Sequence, residues 1–106
     1  MTILGGTGSQ QISIVLDSSY ISGPISVSTT AVEAKVGASP LAARESLLIY
    51  NPGPRTIYYG PAGVTTSTGF PLAVGQTLQL AVGSTVSVFL VTTSGDSISV
   101  RVQELA

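Results

Sequence analysis

The chain has no histidine and no cysteine, and its charged side chains are few: Lys35, Arg44, Arg55 and Arg101 against Asp17, Glu33, Glu45, Asp96 and Glu104. Histidine is the commonest general base and metal ligand, so a Ser-His-Asp or Cys-His nucleophile cannot be assembled here. Neither disulfides nor zinc thiolates are available either. Paired carboxylates could still move protons, but Asp17, Glu33, Asp96 and Glu104 read as turn, strand-face and terminal residues. Glu45 adjoins Arg44 and reads as its surface ion-pair partner, worth under about 1 kcal/mol. Gly5-Gly6-Thr7-Gly8 and Gly60-Pro61-Ala62-Gly63 lack the strand-to-helix setting, the Lys and the Ser/Thr of a phosphate loop, and read as tight turns. Asp96 in Ser94-Gly95-Asp96 is a single carboxylate, too little for calcium. Tyr58-Tyr59, with Tyr50 nearby, could stack on a sugar or base, although neighbouring strand residues face opposite sides and only one of the two can point outward. No catalytic residue, cofactor or metal is expected, and the chain reads as a protein that works through contacts.

Those contacts are constrained by composition. Only 8% of the 106 residues are charged, against about 25% in ordinary domains, and the net charge is −1. Nucleic acid is an unsuitable partner, because phosphate neutralisation needs clustered cations. A hydrophobic fraction of 43% and a mean hydropathy of +0.49 provide enough apolar surface for one core. No apolar run approaches the roughly 20 residues of a membrane helix, so no membrane span is expected. Met1–Gly6 lacks the basic and apolar regions of a secretory signal, which makes synthesis in a cytoplasm the default. The exterior must be Ser, Thr, Gln and Gly, without the mutual repulsion that keeps monomers apart. Such a surface suits either a chain packed against neighbours or a neutral monomer.

The elements that would position these residues are strands. Gln11–Leu16, Pro24–Ser28, Thr30–Val36, Ser46–Tyr50, Thr56–Tyr59, Gln76–Val82, Thr85–Thr92 and Ser97–Leu105 carry alternating or dense apolar residues between Gly/Pro punctuation. Ser46–Tyr50 is dense enough for a central strand covered on both faces. Asn51-Pro52-Gly53-Pro54 predicts a hairpin between Ser46–Tyr50 and Thr56–Tyr59, and Ser94-Gly95-Asp96 another between Thr85–Thr92 and Ser97–Leu105. Ser18–Gly23 reads as a loop. Pro40–Arg44 could make one helical turn with Ser39 as its N-cap. The prediction is an all-β fold: a β-sandwich, jelly-roll or Ig-like, of seven to eight short antiparallel strands. Residues 1–24 form either an extended N-terminal arm that orders against a partner or an ordinary first strand after a frayed start, and 25–106 form the sandwich.

The block from Val32 to Leu105 resembles a small domain of virion proteins of tailed bacteriophages. The resemblance rests on Arg44-Glu45-Ser46-Leu47-Leu48-Ile49-Tyr50-Asn51, on Ile57-Tyr58-Tyr59-Gly60, on Val64-Thr65 through Gly69-Phe70-Pro71-Leu72 with Gly75-Gln76, and on Val100-Arg101-Val102-Gln103-Glu104. It implies a β-sandwich accessory part of a capsid, head fibre or tail tip, with no catalytic residues to carry over. The expectation that follows is a capsid decoration protein on the virion surface, a homotrimer that bridges major capsid subunits. A tail-tip, baseplate or fibre-mount module is the alternative, and a carbohydrate-binding host-attachment module using Tyr58 or Tyr59 a second. Candidate contact residues are Ile3, Leu4, Ile12 and Ile14 of the arm, Asn51, Pro52 and Arg55 of the first loop, Tyr58, and Val64 and Phe70 of the second loop.

Overall fold

A computed structural model describes residues 2–4, 13–15, 19–93 and 95–106, the first two stretches as backbone only. Ten strands result. β1 (Thr2–Leu4) and β2 (Ser13–Val15) pair antiparallel with each other and join neither main sheet. The remaining eight are β3 (Tyr20–Val27), β4 (Val32–Glu33), β5 (Ser46–Tyr50), β6 (Ile57–Gly60), β7 (Phe70–Leu72), β8 (Thr77–Leu80), β9 (Phe89–Thr92) and β10 (Ile98–Leu105). They form two four-stranded antiparallel sheets, ordered β3-β10-β5-β8 and β4-β9-β6-β7.

The order discloses a folded ribbon. β3 pairs with β10, β4 with β9, β5 with β8 and β6 with β7, so each strand of the first half meets its mirror partner in the second. Val27 opposes Ile98, Val32 opposes Leu90, Leu47 opposes Leu80 and Ile57 opposes Leu72, so every pair is centred within Pro61–Thr65. A ribbon of this kind, rolled so that alternate pairs fall in opposite sheets, is the jelly roll, one of the two sandwich types expected.

This wrapping corrects both predicted hairpins. β5 and β6 lie in different sheets, as do β9 and β10, so the links from β5 to β6 and from β9 to β10 carry the chain from one sheet to the other. Turn chemistry reports where a chain reverses, not which strands it then pairs. Within the sandwich only β6 and β7, joined through residues 61–69, are consecutive and paired. Three further expectations change. The loop predicted over Ser18–Gly23 is from Tyr20 onward part of edge strand β3, with Pro24 tolerated on that edge. Of Thr30–Val36 only Val32–Glu33 is a strand. The helical turn at Pro40–Arg44 is a β-turn closed by Arg44 N–H to Leu41 C=O (3.1 Å), with Ala43 at φ 58°.

The core lies between the sheets. Val27, Leu47, Ile49, Ile98, Val100 and Val102 from the first sheet meet Ile57, Leu72 and Leu90 from the second. Period-two alternation along β10 (Ile98, Val100 and Val102 buried, Ser99 and Arg101 exposed) is what burying one face requires. β5 is interior to its sheet, but covered on one face only: Leu47 and Ile49 are buried while Tyr50 is exposed.

Candidate contact surface and the polar clamps behind it

Glu104 is in phase with Ile98, Val100 and Val102, and so projects inward, fully buried. Its carboxylate is met from three directions. Oε1 accepts Arg44 Nη1 at 2.8 Å and Leu41 N–H at 3.1 Å, and Oε2 accepts Val36 N–H at 3.0 Å. Arg44, 3% exposed, turns its other terminal nitrogen to Gly83 O (2.9 Å) and Val86 O (2.8 Å). The predicted Arg44–Glu45 surface pair is therefore replaced by a buried Arg44–Glu104 pair. It ties the β4–β5 and β8–β9 crossings to the end of β10. Removing a charge from water costs several kcal/mol, which only close pairing and filled hydrogen-bond sites offset. The remaining Arg44 Nε has no partner among the described residues.

The opposite end of the sandwich has its own clamp. Asn51 is fully buried; its Nδ2 donates to Arg55 O and Leu72 O (both 2.9 Å) and its Oδ1 accepts Gly53 N–H (2.9 Å). Its main chain bonds Gln76 O and Gly75 N–H in the β7–β8 crossing. Gly53 permits the corner through its φ of 96°. Arg55 donates Nη2 to Asp96 O, fastening the β5–β6 corner to the β9–β10 corner. The loop 61–69 folds back on the sheet: Val64 is buried, and a Cβ on Gly69 would stand 2.7 Å from Tyr58 Cβ and 2.9 Å from Val64 Cγ2.

The candidate contact residues thus divide. Asn51 and Val64, expected on a contact surface, are buried and hold loops. Arg55 is half-buried and Pro52 exposed, at one end of the sandwich. Tyr58 is half-buried, and Phe70, at the other end, is 66% exposed. Tyr59 is the tyrosine that packs against the core, its ring edge-on to Phe70 at 5.7 Å. Ile3, Leu4 and Ile14 lie on the β1–β2 pair, and Ile12 lies outside the described residues. No single surface gathers them.

One flank of the sandwich carries an apolar slot. β7 and β8 are the outer strands of their sheets, and the slot between them is lined by Tyr59, Phe70, Leu72 and Leu78. Among the described residues, Tyr20, Tyr50, Val74 and Val86 are the other large apolar residues left exposed. Among the described residues no cluster of three His, Cys, Asp or Glu side chains could hold a metal. Signals for the buried pair were present in the sequence: a carboxylate in phase with three core valines and isoleucines, and a nearly uncharged chain to find its partner in. No protein-family model matches the chain, and a search of the curated proteins finds no match.

Proposed function

We propose that this protein is a virion structural protein of a tailed bacteriophage, most plainly a capsid decoration protein that binds the assembled shell as a trimer and bridges major capsid subunits. The observation that carries the proposal is the β7–β8 flank, where the outer strands of the two sheets border an apolar slot with Phe70 66% exposed, on a chain with 8% charged residues. Outer sheet edges and exposed aromatics are normally blunted by charge or covered by a partner, and here charge is scarce. Supporting it are the resemblance of the Val32–Leu105 block to virion modules and a block clamped at both ends, suited to bearing load. A jelly roll by itself assigns no function, since it serves capsid and lectin domains alike.

Binding to the assembled lattice but not to free subunits would stabilise the shell by linkage, and many copies would act together through multivalency. Sedimentation of the purified protein with expanded heads, against free capsid subunits, tests this directly. Decoration requires saturable binding to heads alone and a head melting temperature that rises on binding. Immunogold label confined to the tail would replace it with the tail-tip reading.

A further inference from the structure

The outer face of the β3-β10-β5-β8 sheet carries a shallow trough of about 570 Å³. Ladder register lays Pro24, Arg101, Tyr50 and Thr77 side by side across the four strands, with Ser22, Gln103 and Leu48 in the next row. Charge narrows the ligand. Lys35 pairs with Glu33 at 3.3 Å, Arg44 with Glu104, and Arg55 donates to Asp96 O. Arg101 is exposed; among the described residues its side chain has neither ion pair nor hydrogen bond, and none of those lining the trough is a carboxylate. A planar guanidinium left free in this way matches a carboxylate bidentately.

The surroundings of Arg101 narrow it further. Tyr50, 40% exposed, stands directly beside it on β5 and offers a flat apolar face with a polar tip. Ser22 and Thr77 add hydroxyls, and Gln103 is held across the strand pair by its Nε2 bond to Ser22 Oγ at 2.8 Å. β10 and β5 are paired on both sides, so their backbone groups are not free to take up an extended peptide strand, which needs an exposed edge. The ligand must be read by side chains alone: a ring with one apolar face, a carboxylate at its margin and hydroxyls around it. We propose that this trough binds an acidic polysaccharide, with the pyranose face of a carboxylate-bearing sugar on Tyr50 and its carboxylate on Arg101. Tyr50, not Tyr58 or Tyr59, is then the sugar-facing tyrosine, and the site does not depend on the virion reading.

Isotope-labelled full-length protein is titrated with oligogalacturonate, hyaluronan oligosaccharide and oligosialic acid, alongside a neutral cello-oligosaccharide and a poly-glutamate peptide. At least one acidic glycan is expected to shift the amide resonances of residues 22–24, 48–50, 77 and 101–103 saturably. Arg101→Gln and Tyr50→Ala should each weaken that binding at least about tenfold without lowering the melting temperature. Absence of saturation by all three acidic glycans at about 10 mM overturns the proposal. So does equal binding of the neutral glycan, equal binding of poly-glutamate, or binding that both variants leave intact.

Discussion

At the scale of single residues, stability depends on a few polar groups that the fold has taken out of water. Arg44 and Glu104 exchange one short contact, but between them they also occupy Val36 N–H, Leu41 N–H, Gly83 O and Val86 O. Breaking the pair from either side leaves a buried charge, so Arg44→Met and Glu104→Leu should each cost about 3–5 kcal/mol in urea unfolding. Joining them in a double variant removes both charges yet still strands four backbone groups, each worth about 1–3 kcal/mol when orphaned. The double variant is therefore expected to stay well below the native protein; full recovery would show that the backbone contacts are dispensable. Asn51→Ala should cost about 1–3 kcal/mol by the same reasoning, and Asn51→Asp at least as much, since a carboxylate cannot donate to Arg55 O and Leu72 O.

At the scale of elements, the loop 61–69 is the pivot about which the ribbon folds, and it packs rather than dangles. Val64 is buried, and Thr65 closes the loop through Thr68 N–H and Gly69 N–H to its carbonyl (3.2 and 2.8 Å). Gly69 passes so close to Tyr58, Val64 and Thr65 O that no side chain fits without displacement. Gly69→Ala is expected to cost about 1–3 kcal/mol as overpacking. Amide exchange should quicken across 61–70 while β10 stays protected. Uniform loss of protection would mean that the loop and the sheets open as one unit.

At the scale of the whole molecule, the two sheets are closed at their ends by polar clamps and carry an apolar slot along the β7–β8 flank. Phe70 gives that flank its exposed apolar weight, with Tyr59 edge-on behind it. Phe70→Ser should change the unfolding free energy by no more than about 1.5 kcal/mol, the worth of the aromatic pair. If the flank is where copies meet, the same change should shift the protein from trimer to monomer in analytical ultracentrifugation. An unchanged sedimentation coefficient would place the contact elsewhere on the molecule.

The sequence alone determined the class of fold, because period-two apolar runs between Gly/Pro turns can be buried only by facing sheets. Alternation in Ile98-Ser99-Val100-Arg101-Val102 even specified which side chains enter the core. Pairing was decided by tertiary structure. Asn51–Thr56 and Ser94-Gly95-Asp96 have the composition of hairpin turns, yet the strands flanking each lie in different sheets, because a strand's partner is chosen by the burial of both faces of the ribbon and not by the nearest turn. The same holds for the charges. Local sequence offered Arg44 the adjacent Glu45, while the folded chain gave it Glu104, sixty residues away. In a low-dielectric interior a carboxylate held by two backbone N–H groups is the better partner, and only the rolled ribbon brings it within reach.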